Sequence, residues 1–443
     1  MSRYDIHAVR ARRIWDSRGL PTVEVEVALA GGARGRGVAP AGASCGSREA
    51  IDLRDGGAAF GGKGVVRAIE RVADDLAPAL HGCDAREQED IDRRIEQCDG
   101  TPNFARIGGN AAVATSLAVL NAAAAAVGQP LWHYLAEQHG ARPSVPLPEV
   151  QIFGGGAHAA RRVDVQDFMV MVPGAASFDE AMAVTAEIYR AAGRLMAERG
   201  SSAGVADEGG WWPAFDSNED ALDMAMRAIE AAGETPGDRV VLSLDIAATQ
   251  FRDGGGYRLA LEDARLDRDA LIDRLGGWLD RYPIVAIEDP LAEDADQGFA
   301  AFTQRFGDRV QVVGDDYLVT DAARVRDAAA RGACNTALIK VNQAGTVSRA
   351  IAAFEAARNA GWGAIVSARS GETEDVSIAH LATGLDAGQL KVGSFARSER
   401  MAKWNECLRI EEALGPAAFA GGRALANTWW GRRGSTNDKG DQA

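Results

Sequence analysis

Six short β-type runs recur between residues 240 and 394, and each of them ends in a charged residue. These charged ends are Asp245, Glu288, Asp315, Lys340, Arg369 and Lys391. Their spacing leaves room for one strand and one helix, and alanine-rich segments at 322–330 and 347–359 have a helical period. This alternation, after a β-rich start, predicts an α/β protein with a closed, TIM-like (β/α)8-type barrel behind an N-terminal α+β capping domain. The carboxyl ends of barrel strands converge on one face.

Three acids followed by three cations on one barrel face predict a single site for a divalent metal and a polyanionic substrate. One acid at a strand end more often caps the next helix, but three in succession favour Mg²⁺, which prefers oxygen ligands. Lys340 lies in an apolar run where its protonation can be tuned for acid–base work, unless it is a silent partner of those acids. Arg369 with Ser370 offers a fork and a hydroxyl for phosphate or carboxylate. His158, in a glycine-rich turn, is either a site residue or a loop histidine.

Composition restricts the classes of partner. A chain of 443 residues should form two domains, and its net charge of −15 disfavours nucleic acid as a partner. Five cysteines without a C-x-x-C pair predict a reduced, cytoplasmic protein without a disulfide framework or zinc site. The start of the chain has no apolar core of signal-peptide type. The alanine-dominated stretch 111–128 is expected to be a buried helix and not a membrane span.

The boundaries follow from local composition. Residues 1–141 are expected to form the α+β domain, with strands at 6–14 and 22–30 and helices within 64–80, 85–98 and 110–127. The small-residue segment 35–47 is expected to be a mobile lid loop, with a passive surface loop as the alternative. A proline-rich segment after residue 141 opens the barrel domain, residues 142–427. In the polar tail, 428–443, the Trp429-Trp430 pair is expected to pack back onto the body.

Short motifs in a fixed order resemble the enolase family over almost the whole chain, up to about residue 427. The motifs are DSRG-x-PTVEVEV (from 16), GAS-x-GSREA (from 42), DEGG (from 207), IEDPLAED (from 287), VGDD (from 313), LIKVNQ (from 338), RSGETED (from 369) and ARSER-x-AK (from 396). Each is short, and their number and order carry the resemblance.

The resemblance implies removal of the C2 proton of 2-phosphoglycerate and loss of its C3 hydroxyl, which gives phosphoenolpyruvate. Enolase-superfamily sites in general use a lysine or histidine base with one or two Mg²⁺ ions. Two Mg²⁺ ions and a homodimer are implied. The implied metal ligands are Asp245, Glu288, Asp315 and, for the second ion, Ser44. The implied base and acid are Lys340 and Glu208. The implied substrate-binding residues are His158, Gln166, Asp167, Arg369, Ser370 and Lys391.

Several residues depart from the family pattern around the leaving-group side and the loop. They are Ala41, Gly154, Asp167, Trp211 with Trp212, and Ala368, which stand where the family usually has Ser, Asn, Glu, an aromatic-Ala pair and His. The implied metal ligands, the implied base and the implied phosphate-binding residues are retained. This contrast predicts a specialised paralogue, resembling carboxyphosphonoenolpyruvate synthase of phosphonate natural-product biosynthesis. The alternatives are a glycolytic enolase with tolerated substitutions and a non-catalytic binding protein, against which the retained Lys340 and Glu208 argue.

Overall fold

The computed structural model describes residues 1–43 and 46–437. The first strands form an antiparallel sheet in the order β1 (Ile6–Trp15), β2 (Pro21–Leu29) and β3 (Arg34–Val38). The helices that follow are α1 (Val66–Arg71), α2 (Ala77–Leu80), α3 (Gln88–Asp99), α4 (Gly109–Val127) and α5 (Leu131–His139). A single π turn, Val72–Leu76, joins α1 to α2.

Strand β3 corrects the expectation of a loop over residues 35–47, since residues 35–38 belong to this strand. Its glycines serve close packing. A Cβ on Gly35 would lie 2.1 Å from the Ala122 nitrogen, and one on Gly37 would lie 2.5 Å from the Ala114 oxygen, both in α4. Only glycine lets the helix backbone approach this strand so closely. Residues 44 and 45 lie outside the described part of the chain, so the mobility of the remaining loop stays a prediction.

Helix α4 is the core of the N-terminal domain. Among the described residues it is the one helix long and apolar enough to cross a membrane, with a mean hydropathy of 1.6. It is 83% buried and packs against β2 and β3. A helix that is apolar on all sides belongs in a protein core. The prediction of a buried helix at 111–128 is therefore confirmed.

Within residues 1–43 and 46–437, eight strands form the closed barrel and two smaller sheets accompany it. The remaining strands are β4 (Leu147–Gly154), β5 (Asp167–Met171), β6 (Ser202–Val205), β7 (Trp211–Pro213), β8 (Val241–Asp245), β9 (Arg252–Asp253), β10 (Gly256–Leu259), β11 (Ala264–Leu266), β12 (Ile284–Glu288), β13 (Gln311–Gly314), β14 (Thr336–Ile339), β15 (Gly363–Ser367) and β16 (Gly388–Gly393). The barrel order is β4-β5-β8-β12-β13-β14-β15-β16, and pairing of β16 with β4 closes it. The predicted barrel is confirmed.

One barrel strand breaks the expected parallel pattern. Strand β5 runs antiparallel to both β4 and β8, with Asp167 opposite Gly154 on one side and Asp245 on the other. The connection from β4 to β5 contains only a 3-10 turn, Gly156–Ala159. A connection without a crossover helix suits antiparallel strands, whereas parallel strands need the crossover. As a result, the first residue of β5 lies at the same barrel face as the last residues of its neighbours.

Capping side chains fix where several barrel helices begin. The remaining helices are α6 (Phe178–Arg199), α7 (Asn218–Ala231), α8 (Arg268–Arg281), α9 (Asp296–Phe306), α10 (Ala322–Arg331), α11 (Val341–Ala344), α12 (Val347–Asn359), α13 (Ser377–Gly384), α14 (Ser398–Leu414) and α15 (Trp429–Asn437). Five of them follow a residue whose side chain accepts a hydrogen bond from a first-turn N–H. These caps are Ser177, Ser217, Asp267, Asp321 and Thr346.

The tryptophan pair of the tail contacts the barrel domain. Trp429 Nε1 donates to the Ile284 carbonyl oxygen at 2.7 Å, at the start of β12. Trp430 Nε1 donates to the Asp238 carbonyl oxygen at 2.6 Å. The expectation that this pair packs back onto the body is confirmed.

A buried carboxylate joins the N-terminal domain to the barrel. Asp92 of α3 accepts hydrogen bonds from Ser116 Oγ of α4 at 2.6 Å and from the Ser348 N–H of α12 at 2.8 Å. It also accepts from Ser348 Oγ at 2.6 Å and from Gln88 Nε2 at 3.1 Å. All these donors are neutral. Burial therefore dominates and raises the pKa of Asp92 above its usual value.

This raised pKa predicts a pH dependence of stability. Over a range above about pH 4 the folded chain keeps a proton on Asp92 that the unfolded chain has lost. The free energy of unfolding therefore falls as pH rises through that range, by at most about 1.4 kcal/mol per pH unit. We expect Asp92→Asn to remove this component, so that the wild type loses thermal stability relative to the variant between pH 4 and pH 7. A difference in melting temperature that is the same at every pH would contradict this.

Candidate active site

A cavity opens at the carboxyl ends of the barrel strands. It is lined by Gly42, His158, Gln166, Asp167, Glu208, Asp245, Lys340, Ser367, Ala368, Arg369, Ser370, Lys391 and Val392. Most of the residues predicted for the site are in this wall. Glu288 and Asp315 are not in the wall, but they contact wall residues directly through Lys391 and Lys340. Ser44 lies outside the described residues, so its role stays a prediction.

Strand ends bring the charged residues together. Asp245 and Glu288 are the last residues of β8 and β12 and are direct partners in the parallel register. Asp315 and Lys340 follow β13 and β14 immediately. Lys391 lies within β16, opposite Ser367 of β15. The strand-end pattern in the sequence therefore predicts the neighbours correctly.

Lys391 is the centre of a buried cluster of acids. Its Nζ lies 2.7 Å from Glu288 Oε2, 2.9 Å from Asp245 Oδ2 and 3.5 Å from Asp167 Oδ2. Burial alone would lower the pKa of Lys391, but Asp245 and Glu288 outweigh it and raise the pKa well above the usual value. Burial, followed by the charge of Asp245, raises the pKa of Glu288 well above the usual value. The cluster is therefore electrostatically crowded, and a further cation would be stabilised there.

Lys340 forms a second buried ion pair. Its Nζ lies 2.5 Å from Asp315 Oδ2, while Gln343 Nε2 donates to Asp315 Oδ1 at 2.8 Å. Burial opposes the charged forms of both groups. The attraction between them outweighs burial, so the pKa of Lys340 is raised and that of Asp315 is lowered. This contact is expected whether Lys340 is a catalytically silent partner of Asp315 or a base whose protonation is tuned. The contact alone therefore does not distinguish the two roles.

One observation independent of the sequence pattern indicates that the acids Asp245, Glu288 and Asp315 suit a divalent cation. Among the described residues, the buried Glu288 Oε1 has no hydrogen-bond partner. A buried carboxylate oxygen left without a donor is costly, and binding a hard cation would satisfy it. Asp245, Glu288 and Asp315 would supply the oxygen ligands that Mg²⁺ prefers. The adjacent Asp289 and Asp316 place two more carboxylates within 4.8 Å of Asp315.

His158 contacts two acids of the cavity wall, Asp167 at the start of β5 and Glu208 between β6 and β7. His158 Nδ1 lies 3.5 Å from Asp167 Oδ1 and 3.9 Å from Glu208 Oε1. Burial would lower the pKa of His158, but the charge of Glu208 and the contact with Asp167 raise it. Gln166 Nε2 donates to Asp245 Oδ2 at 2.7 Å. Asp167 also contacts Lys391, and Gln166 contacts Asp245, so both residues link His158 and Glu208 to the acids around Lys391.

The segment after β15 carries Arg369 and Ser370. Ser370 Oγ accepts a hydrogen bond from the Ala43 N–H at 2.5 Å, which connects the N-terminal domain to the site. Arg400 of α14 is fully buried and donates to the carbonyl oxygens of Arg369 and Ser370, both at 2.6 Å. A helix behind the site therefore fixes the backbone of this segment.

Sequence reasoning missed the residues that surround Arg369 and Asp315. These residues are Glu49, Asn342, Gln343 and Arg400. All four lie inside or beside motifs that carried the family resemblance. The strand-end criterion passed over them because they lie on helices and on a loop of the N-terminal domain.

Comparisons with known proteins agree with this geometry. The family description "Enolase, N-terminal domain" matches residues 6–135, and "Enolase, C-terminal TIM barrel domain" matches residues 142–428. This chain belongs to the enolase family. "Enolase 1" of Desulfitobacterium hafniense (strain Y51) is 46% identical over 421 residues, which are 94% of this chain and 96% of that protein. The enolase resemblance is confirmed. The finer likeness to carboxyphosphonoenolpyruvate synthase finds no support in these comparisons, which favour an ordinary enolase.

Proposed function

We propose that this enolase-family enzyme dehydrates 2-phosphoglycerate to phosphoenolpyruvate with the help of Mg²⁺. The observation that carries the proposal is that the implied base, Lys340, and the implied acid, Glu208, line one cavity beside a buried set of acids. The 46% identity with Enolase 1 supports this reaction over that of a specialised paralogue.

Proton removal is the first chemical demand. The C2 proton of 2-phosphoglycerate is only weakly acidic, and its loss puts a second negative charge on the substrate carboxylate. Lys340 would accept that proton, a role that precedent in the enolase superfamily supplies. The ammonium of Lys391 would stabilise the developing charge. Mg²⁺ held by Asp245, Glu288 and Asp315 would add electrostatic stabilisation of the same charge.

A lysine base must first be neutral, and Asp315 opposes this. In the structure Asp315 favours the ammonium form of Lys340. If Asp315 served as a ligand of Mg²⁺, its charge would be shared with the cation, and it would favour the ammonium form of Lys340 less strongly. The same carboxylate would thus couple metal binding to the protonation of the base.

Loss of the hydroxyl group is the second demand. Hydroxide is a poor leaving group, so the C3–O bond breaks readily only if the oxygen receives a proton. Glu208 would give that proton, and water would leave while the electron pair from C2 forms the double bond. Arg369 and Ser370 would hold the phosphate by charge-assisted hydrogen bonds.

Substrate comparison tests this proposal. We expect steady production of phosphoenolpyruvate from 2-phosphoglycerate and Mg²⁺, and little reaction with the phosphonate precursors that a specialised paralogue would use. Preference for the phosphonate compounds would contradict the proposal. No reaction with either class would favour a binding protein on the enolase fold.

Ala368 offers a second test of the same choice. Its side chain lies in the cavity wall where the family usually has histidine. If the native site already performs the dehydration, Ala368→His should not raise kcat/KM for 2-phosphoglycerate by more than about threefold, on the order of 0.6 kcal/mol. A gain of about a hundredfold in the same assay would instead indicate a site repurposed by loss of the histidine.

The remaining expectations stay predictions. The homodimer and the contribution of Ser44 to a second Mg²⁺ site are implied by the family resemblance, and the cytoplasmic location is predicted from the cysteine pattern. We carry them as parts of the proposed function.

A further inference from the structure

We propose that Glu49 is a positioning residue for phosphate recognition, which holds the Arg369 guanidinium in a fixed orientation beside the cavity. This inference rests on the proposed function, because it assigns the substrate phosphate to Arg369. Glu49 belongs to the N-terminal domain, whereas Arg369 follows barrel strand β15. The N-terminal domain would thus contribute a side chain, Glu49, that orients a residue of the barrel site.

Glu49 holds both terminal nitrogens of Arg369. Arg369 Nη1 donates to Glu49 Oε2 at 2.9 Å, and Nη2 donates to Glu49 Oε1 at 3.1 Å. Nη1 also donates to Asn342 Oδ1 at 3.0 Å. Both side chains are buried, with exposed fractions of 6% for Glu49 and 4% for Arg369. A forked pair of this kind fixes the plane of the guanidinium as well as its position.

Glu49 is itself fixed by its surroundings. Its Oε1 accepts a hydrogen bond from the Gly46 N–H at 2.8 Å and another from Gln343 Nε2 at 3.3 Å. Gln343 is anchored in turn, since Thr320 Oγ1 donates to its Oε1 at 2.7 Å and its carbonyl oxygen accepts from the Ala50 N–H at 2.9 Å. Glu49 is therefore a built-in part of the site.

The same hydrogen-bond network reaches Asp315, the partner of Lys340. Gln343 Nε2 contacts both Glu49 Oε1 and Asp315 Oδ1. The Gln343 amide nitrogen therefore bridges the Glu49–Arg369 pair and Asp315. Without Glu49, the buried guanidinium would lose its counter-charge and be drawn toward the acids around Asp315. The fork would then be misplaced for a phosphate.

A rival role for the same contact predicts the opposite effect. If Glu49 merely occupied the fork until a phosphate displaced it, then removal of its charge would strengthen phosphate binding. The anchoring of Glu49 by Gly46 and Gln343 favours the positioning role, because displacement would break those hydrogen bonds as well.

The experiment compares three variants of the full chain. Glu49→Gln removes the charge, and Glu49→Asp keeps the charge but shortens its reach. Glu96→Gln is the matched control, since Glu96 also pairs with a barrel arginine, Arg349 at 2.7 Å, but lies outside the cavity wall. Circular dichroism and the melting temperature check the fold of each variant.

We expect Glu49→Gln to raise KM for 2-phosphoglycerate about tenfold or more, with a smaller effect on kcat. Tenfold corresponds to about 1.4 kcal/mol of lost binding. Glu49→Asp should lie between the wild type and Glu49→Gln, and Glu96→Gln should match the wild type. If Glu49→Gln fails to fold, Glu49→Asp still carries the test, with a several-fold rise in KM as its expected result.

Titration calorimetry with inorganic phosphate gives a readout that needs no turnover. The dissociation constant for phosphate should rise about tenfold in Glu49→Gln. Unchanged or tighter phosphate binding in that variant, or a wild type that binds no phosphate, would overturn the proposal. A wild type that binds phosphate but does not dehydrate 2-phosphoglycerate would overturn the proposed function alone, so the two failures are distinguishable.

Discussion

Replacement of Lys340 by alanine should lower kcat for the dehydration of 2-phosphoglycerate by about 10²- to 10⁴-fold, the usual contribution of a general base. Lys340 lines the cavity and is the residue to which the proposal assigns the C2 proton. KM should change much less, because the phosphate and the carboxylate of the substrate are assigned to other side chains. Steady-state kinetics with saturating Mg²⁺ measures both constants.

Lys340→Arg is the matched control for this prediction. Arginine keeps a positive charge near Asp315, but it does not lose its proton at ordinary pH and cannot act as the base. The proposal expects this variant to be about as slow as Lys340→Ala. If Lys340 were only a structural partner of Asp315, the arginine variant would recover most of the activity, and the assignment of the base would be wrong.

Loss of a metal ligand should have the second largest effect. We expect Glu288→Gln to weaken Mg²⁺ binding by on the order of 100-fold, because disturbing even the outer partners of metal ligands costs 10- to 100-fold. The variant replaces the carboxyl group whose Oε1 has no hydrogen-bond partner among the described residues by an amide, which is a poorer ligand for a hard cation. Calorimetric titration with Mg²⁺ measures the binding. Chelation with EDTA should abolish turnover of the wild type, and added Mg²⁺ should restore it.

Glu149→Gln is the control for Glu288→Gln. Glu149 is also a buried barrel glutamate, in β4, and it accepts a hydrogen bond from Ser243 Oγ. Glu149 does not line the cavity and is not one of the implied metal ligands, so its replacement leaves the ligand set intact. We expect less than a threefold change in Mg²⁺ affinity. Equal losses in both variants would show that barrel charge in general, and not a ligand at Glu288, governs the binding.

Local sequence signals predicted much of the fold. Helix α12 begins and ends at the predicted residues, because a helical period runs through it and the side chain of Thr346 caps its start. Strand β3 was missed because its glycines weaken the strand signal, and their reason is the approach of α4. The direction of β5 was missed because strand direction follows from the connection between strands and not from strand propensity.

From the sequence, site residues could be predicted only where they lie at the carboxyl ends of barrel strands. Residues at the ends of barrel strands, such as Asp245 and Glu288, share a face for purely geometric reasons. Glu49 reaches the site from another domain, and no periodicity connects it with Arg369. The departures at Asp167 and Ala368 led to the prediction of a specialised paralogue. A few substitutions in a pocket wall do not determine a substrate, and the similarity over most of the chain favours an ordinary enolase.

The decisive measurement for the proposed function is the formation of phosphoenolpyruvate from 2-phosphoglycerate with Mg²⁺ present, with Lys340→Ala assayed in parallel. We expect turnover by the wild type at ordinary enzyme rates, about 1–10³ s⁻¹, and its near-complete loss in the variant. Binding of Mg²⁺ without formation of phosphoenolpyruvate would contradict the proposed function and would assign this enolase-family site to a different substrate.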